Sequence, residues 1–314
     1  MRESLKVILA GAALSLGVSE AGAQDARFRT RLDTVVSLAS QGTVDVSLMG
    51  GRVNIIGGAG SNVRIRAVSD GDNVELDASP SRLRLHVGHD GGRNGRNRLR
   101  TRHGGGAEFD LTVPIGTLVI VEALSAPVSV RGVRGEVKVE TVSGSIVVND
   151  AVRTVSVESV SGNLNVANVT GNVRAETVSG QLELTGITGD IVGETVSGRV
   201  GIAGARSKSV SAESVSGRVG YGGTFDPAGT YSFTSHSGSL TLMLPPTAGA
   251  TIRLETFSGS VDSDFPVTLG ANSGRAARET RFEFAIGNGR SRVTAETFSG
   301  DIRIQRGASR DQPE

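Results

Sequence analysis

The sequence predicts an all-β protein, a β-solenoid of the parallel β-helix type, and three observations carry that prediction. The first is a repeat: Glu-Thr-Val-Ser-Gly at 140–144, 176–180 and 194–198, and Glu-Ser-Val-Ser-Gly at 158–162 and 213–217. The motif glycines therefore stand at 144, 162, 180, 198 and 217, an eighteen-residue period with one step longer by a single residue at the end, typical of stacked-coil architectures. The second is alternation. Counting the motif valine as zero, apolar residues stand at 0, 4 and 6 (Val142, Ile146, Val148) and at 13 and 15 (Val155, Val157). Glycine stands at 2 and, in several copies, at 11 (Gly135, Gly171, Gly189). Spacings of two with β-branched side chains mark half-buried strands. The third observation is the glycine itself, which would cost about 1 kcal/mol at each helix-interior position.

Each eighteen-residue coil therefore divides into two nine-residue strand-turn halves. On this reading the motif valines, Val178 among them, point into the core, and the serines that follow them, such as Ser179, point out. One such strand buries too little to fold alone, whereas copies stacked about 4.8 Å apart build a continuous interior.

Taken in order, residues 1–23 read as a signal peptide. Arg2 and Lys6 precede the apolar run 7–14, and Ala21-Gly22-Ala23 offers a small-x-small cleavage site. The run is too short for a membrane span, so no transmembrane segment is expected in the mature chain. Residues 24–116 carry a degenerate form of the repeat, visible in Gly51-Arg52-Val53-Asn54-Ile55, and are expected to cap the open end of the stack with strands at 74–78, 82–87 and 108–113. The glycine- and arginine-rich stretch 88–106 reads as a disordered loop. Its arginines, Arg93, Arg96, Arg98, Arg100 and Arg102, form a possible anion-binding loop, although no aromatic residue interleaves them. His86, His89, Asp90 and His103 lack metal-ligand spacing.

The regular solenoid is expected over 117–306, with its glutamate register already in place at Glu122, one full period before Glu140. Past Gly217 the spacing opens to twenty-one residues at Gly238 and Gly259 and to forty-one at Gly300, the extra length falling at 222–230 and 270–280 as surface loops. His236, Phe257 and Phe298 take the valine position in these late copies. The histidine reads as a local packing variant and the phenylalanines as a thicker core. The polar tail 307–314 is expected to be disordered.

Composition narrows the function classes. The 314 residues carry a formal charge of +1, contain no cysteine, and include 44 glycines. That balance points to no nucleic acid, and there is no disulfide framework or cysteine to carry a lipid. A calcium-binding nonapeptide roll needs an aspartate in every turn, but Asp150, Asp190, Asp262 and Asp301 keep no common register. A carbohydrate-active β-helix enzyme would collect paired carboxylates on one face; the carboxylates in register here are the motif glutamates, and residues that recur in every coil read as structure. No catalytic residue, metal or cofactor is expected.

The Glu-Thr-Val-Ser-Gly copies, the signal peptide, Val-Pro-Ile-Gly at 113–116 and the Phe-Ser-Gly copies at the end make the chain resemble the bacterial β-strand-repeat family of unknown function known as putative adhesins, over roughly residues 30–306. The resemblance implies a non-enzymatic cell-envelope or secreted protein. The expectation drawn from chain and resemblance together is an exported adhesin or cell-envelope scaffold, periplasmic or extracellular at the cell surface, monomeric, with an envelope polymer or protein as partner. An enzyme acting on carbohydrate and an envelope sensor or accessory protein are the alternatives. The candidate contact surface is an outward ladder of Glu140, Glu158, Glu176, Glu194 and Glu213, with Arg134, Lys138, Arg153, Arg174 and Arg199 as counter-charges.

Overall fold

The computed structural model describes residues 5–8, 29–70, 73–88, 106–245, 248–265 and 280–307, and every regular element among them is a β-strand. The chain forms two compact units, Met1–Gly144 and Ser145–Glu314.

In the first unit the strands are β1 (Leu5–Ile8), β2 (Arg29–Ser37), β3 (Thr43–Gly58), β4 (Asn62–Asp70), β5 (Asn73–Ala78), β6 (Arg82–Gly88), β7 (Ala107–Pro114), β8 (Leu118–Ser125), β9 (Val128–Arg131) and β10 (Val137–Ser143). The three strands expected from sequence at 74–78, 82–87 and 108–113 are β5, β6 and β7. β3 is a whole coil. Its first half lies parallel between β6 and β8, and its second half parallel between β7 and β9. On β8 sits β10, parallel and one period further along the chain, with Glu140 beside Glu122. The far side is closed by antiparallel strands: β5 on β6, β4 on β7 and β2 on β4; β1, which falls within the stretch read as a signal peptide, pairs with β5 in the full chain. Antiparallel closure ends the parallel register, so the stack cannot extend by adding a further coil.

The second unit holds the regular coils: β11 (Ile146–Asn149), β12 (Val155–Ser161), β13 (Leu164–Ala167), β14 (Val173–Ser179), β15 (Leu182–Thr185) and the long run β16 (Ile191–Ser237), which passes through more than two coils. β12, β14 and the start of β16 pair parallel with the offset of one sequence period, Val155 beside Val173 and Val173 beside Ile191. The same offset joins β11, β13, β15 and the next stretch of β16. β17 (Leu240–Leu244), β18 (Ala250–Ser258), β19 (Val261–Ser263), β20 (Thr280–Ile286), β21 (Ser291–Ser299) and β22 (Ile302–Arg306) complete the unit. Here spatial order departs from chain order. The last coil, β21 and β22, is inserted between β16–β17 and β18–β19, while β20 closes the end antiparallel to β18.

The interior corrects the facing read from sequence. Along β12 the inward residues are Val155, Val157 and Ser159, and β14 repeats this with Val173, Ala175 and Thr177. Strict alternation then turns the motif valine outward: Val178 is 47 % exposed and Thr177 only 4 %. Val142, Val160, Val196 and Val215 are likewise exposed, as are Phe257 and Phe298, which therefore do not thicken the core. His236 is outward too and packs no interior. Ser179 is exposed, as expected.

The core is filled from the other strand and from a third line of side chains. Leu164, Val166, Leu182, Leu184, Val200 and Ile202 point in, and so do Ala151, Val169, Ile187 and Ala205 at the second turn. That turn is thus a short side of its own, with parallel bridges Thr170 to Thr188 and Thr188 to Arg206. Its direction is set by residues just before the line: Asp150 (φ 57°), Asn168 (φ 55°), Gly186 (φ 65°) and Gly204 (φ 62°). A left-handed residue reverses the alternation, and Gly, Asn and Asp are the types that adopt it at low cost.

The motif glycine has a different reason. A Cβ on Gly198 would lie 1.8 Å from the Gly180 carbonyl oxygen, and one on Gly217 would lie 1.7 Å from that of Gly198. The same close approach runs through Gly238 and Gly300 to Gly259. Four of the buried hydroxyls beside this column donate to its carbonyls: Thr177 to Gly162 at 3.4 Å, Ser235 to Gly217 at 3.4 Å, Thr297 to Gly238 at 3.3 Å and Thr256 to Gly300 at 3.2 Å, whereas those of Thr141, Ser159, Thr195 and Ser214 make no hydrogen bond among the described residues.

Residues 222–230 form an anchored corner. The Tyr231 hydroxyl donates to the Ser207 carbonyl at 2.6 Å and accepts from the Asp226 amide at 2.7 Å. Tyr221 stacks on Phe225, with centroids 5.6 Å apart, and packs against Phe233. Both tyrosines are buried, and burial pushes their hydroxyls up from the ordinary tyrosine range. This aromatic lock was not read from the sequence, although the cluster Tyr221, Phe225, Tyr231 and Phe233, in a chain with only 4 % aromatic residues, was the signal for it.

Candidate binding face

Two columns run up the outer face of the motif strands in the second unit. One is carboxylate. Glu158, Glu176 and Glu194 are paired neighbours on β12, β14 and β16, half-buried against the strands. Glu213 follows and is exposed. Thr234 interrupts the column, and Glu296 on β21 and Glu255 on β18 continue it. These last two were missed in the sequence reading, though each opens a Glu-Thr-Phe-Ser-Gly copy of the motif. Glu140 has the equivalent place in the first unit, where Lys138 lies 2.7 Å from it.

The second column stands two residues further along each strand and is apolar. It comprises Val160, Val178, Val196, Val215, His236, Phe298 and Phe257 in spatial order. The last three rings are stacked: His236 on Phe298 at 5.0 Å and 6°, Phe298 on Phe257 at 4.9 Å and 5°. That repeat is the strand separation itself. In the first unit Met49, Leu124 and Val142 hold the same place and are exposed.

The columns carry different charge along their length. Arg174 pairs with Glu176 and reaches Glu194 at 3.7 Å. Glu176 is nevertheless raised above the ordinary carboxylate range, chiefly by burial, with the adjacent Glu194 and Glu158 adding to the rise against Arg174. Glu255 goes the other way. Arg281 forks onto it at 3.0 and 2.9 Å and Arg253 lies at 3.5 Å, holding its carboxyl low. Of the expected counter-charges, Lys138 and Arg174 form ion pairs with the ladder; Arg134, Arg153 and Arg199 pair with no carboxylate among the described residues.

At the late coils the two columns enclose an open groove of about 420 Å³. Glu213, Glu255 and Glu296 form one side, Val215, His236, Phe298 and Phe257 the other, and Ser235 and Thr297 the floor. Among the described residues no group of three or more His, Asp or Glu side chains is disposed to hold a metal, and no helix is long and apolar enough to cross a membrane. The arginines at 93, 96, 98, 100 and 102, and most of the 270–280 segment, lie outside the described residues.

Fold and face together define a strand-repeat protein of solenoid type whose outer surface repeats with its coils. The chain belongs to the Toastrack DUF4097 family, whose sequence model matches residues 43–305, in line with the strand-repeat resemblance carried by the motif. No curated protein matches it. Among solved structures it is similar to the crystal structure of a putative cell adhesion protein from Clostridium sporogenes ATCC 15579. The match has 14 % identity and a TM-score of 0.22, covering 88 % of this chain and 100 % of that one.

Proposed function

We propose that this chain is an exported, non-catalytic binding module of the cell envelope, an adhesin or scaffold that engages a polymer or protein through the outer face of its motif strands. The observation that supports this reading is the exposed apolar column. A side chain such as Val178 contributes nothing to the interior, and leaving apolar surface in water at the same place in coil after coil is a cost a purely soluble face would not carry. Beside it the glutamates supply polar contacts at the same repeat. Such a face binds by accumulation, each coil adding a small increment.

The test is graded neutralisation. Binding of the exported protein to isolated cell-wall polymer and to envelope extract is expected to weaken stepwise as Glu140, Glu158, Glu176, Glu194 and Glu213 are changed to Gln in groups of two, four and five, with the melting curve retained. Unchanged binding in the fivefold variant would reject the face.

A further inference from the structure

We propose that the late-coil groove of the second unit is a docking track for a basic amphipathic helix of a partner protein, lying along the stacking axis. This rests on the binding-module reading and names its partner class. The apolar ridge of the helix would sit on Val215, His236, Phe298 and Phe257, and its flanking Lys or Arg side chains on Glu213 and Glu296.

Charge selects the partner's sign. Glu255 is already neutralised by Arg281 and Arg253. Glu213 and Glu296, on the same column, have no counter-charge within ion-pair distance among the described residues. A face that leaves two carboxylates unneutralised beside an apolar strip favours cations and repels an anionic lipid surface.

Ring geometry then separates where the cations go from where the apolar groups go. Both faces of Phe298 are covered, one by His236 and one by Phe257, in planes within 6° of parallel. At Phe298, the middle ring, the groove therefore meets a ring edge. Edges carry the positive end of the aromatic quadrupole, so they accept aliphatic side chains and offer neither a cation–π site nor the open ring face on which a sugar would stack. Cationic groups belong on the carboxylate column, two residues and thus about 7 Å to the side.

The repeat distance selects the partner's conformation. Coils recur about every 4.8 Å, whereas side chains on one face of an extended strand recur about every 6.7 Å and fall out of step at once. Turns of an α-helix recur about every 5.4 Å and drift by only about 2 Å over three coils. Glu213 and Glu296 lie two coils apart, close to the span between positions i and i+7 of such a helix.

The probe is a fluorescein-labelled eighteen-residue Leu/Lys peptide, Leu at i, i+3, i+4 and i+7 with Lys flanking, read by anisotropy against the full chain. Two controls share its length: a scrambled peptide of the same composition, and a Leu/Glu peptide of the same pattern. The patterned Leu/Lys peptide should bind, and both controls should bind at least about tenfold more weakly. Glu213→Gln with Glu296→Gln, and separately Phe298→Ser, should each reduce its affinity by about tenfold; Glu183→Gln, on the other strand, should leave it unchanged. Equal binding of the scrambled peptide, or binding indifferent to these substitutions, overturns the proposal. If the peptide fails while neutral cell-wall glycan binds and responds to the same substitutions, the face is a polymer site: the helix is wrong and the binding module stands. If neither responds, both readings fall.

Discussion

Val160 and Val169 begin the same three-letter pattern, valine, any residue, glycine, in the two halves of one coil, yet Val160 is 49 % exposed and Val169 fully buried. The difference lies upstream of each. Val160 lies near the end of an uninterrupted strand, so its facing is dictated by parity from Val155 and Val157. Val169 follows Asn168, whose left-handed backbone cancels one step of alternation and sends two residues three apart, Val166 and Val169, to the same side. Facing in a solenoid is therefore counted from the last left-handed residue, and letter similarity between halves does not carry it.

The largest effect that can test this comparison falls on the column where coils touch. Gly198→Val would put a Cβ within 1.8 Å of the Gly180 carbonyl, at φ 155°, and the backbone has no direction in which to yield without breaking the pairs on both sides. Loss of the cooperative unfolding transition is expected, read by circular dichroism. A variant that melts like the parent would show that the coils can separate at this corner.

Next comes the pair that isolates facing. Thr177→Asp forces a carboxylate into the buried column and is expected to cost roughly 3 kcal/mol or more. Val178→Asp, one residue on, should shift the urea midpoint by no more than about 0.5 kcal/mol equivalent. Equal losses would place both side chains in the interior. The reversing residue is tested by Asn168→Val, which costs about 1–2 kcal/mol for a β-branched side chain in the left-handed region. Asn168→Gly should be close to neutral, since Gly186 and Gly204 already fill that role.

These contrasts also explain what was legible in the chain. The fold class, the eighteen-residue coil and the outward glutamates follow from period and composition, which are properties of the letters. Facing at the motif valine does not, because Ser and Thr are ordinarily surface residues and here lie buried beside glycine carbonyls that their hydroxyls can meet. One signal was present: positions 150, 168, 186 and 204 read Asp, Asn, Gly, Gly, the residue types that tolerate φ above zero, in register with the repeat. The swapped spatial order at the end of the second unit had no local signature. The long gap between Gly259 and Gly300 fits equally a long loop or a coil inserted backwards, and only pairing distinguishes them. The groove depended on that inversion, since it is what places Phe298 between His236 and Phe257.

The smallest expected effect compares two glutamates at the same motif position. Glu255 is held low, first by the hydrogen bond from Arg281. Its ionised form therefore stabilises the fold above the unfolded carboxylate range near about 4.3, and that contribution is lost as pH falls through the folded value. Glu176 is held high, first by burial, so its ionisation opposes folding above the folded value, and the cost vanishes once pH drops below the unfolded one. Glu255→Gln should then lower the melting temperature at pH 7, a difference that shrinks toward zero below about pH 4, and Glu176→Gln should raise it slightly, a difference already gone by about pH 4. Both carboxylates touch solvent, so salt should shrink the two effects together. A Glu176→Gln variant less stable than the parent at pH 7 would mean that Arg174 outweighs burial and the flanking glutamates. The carboxylate column would then be a chain of satisfied ion pairs, with no residual charge at that coil to offer a partner.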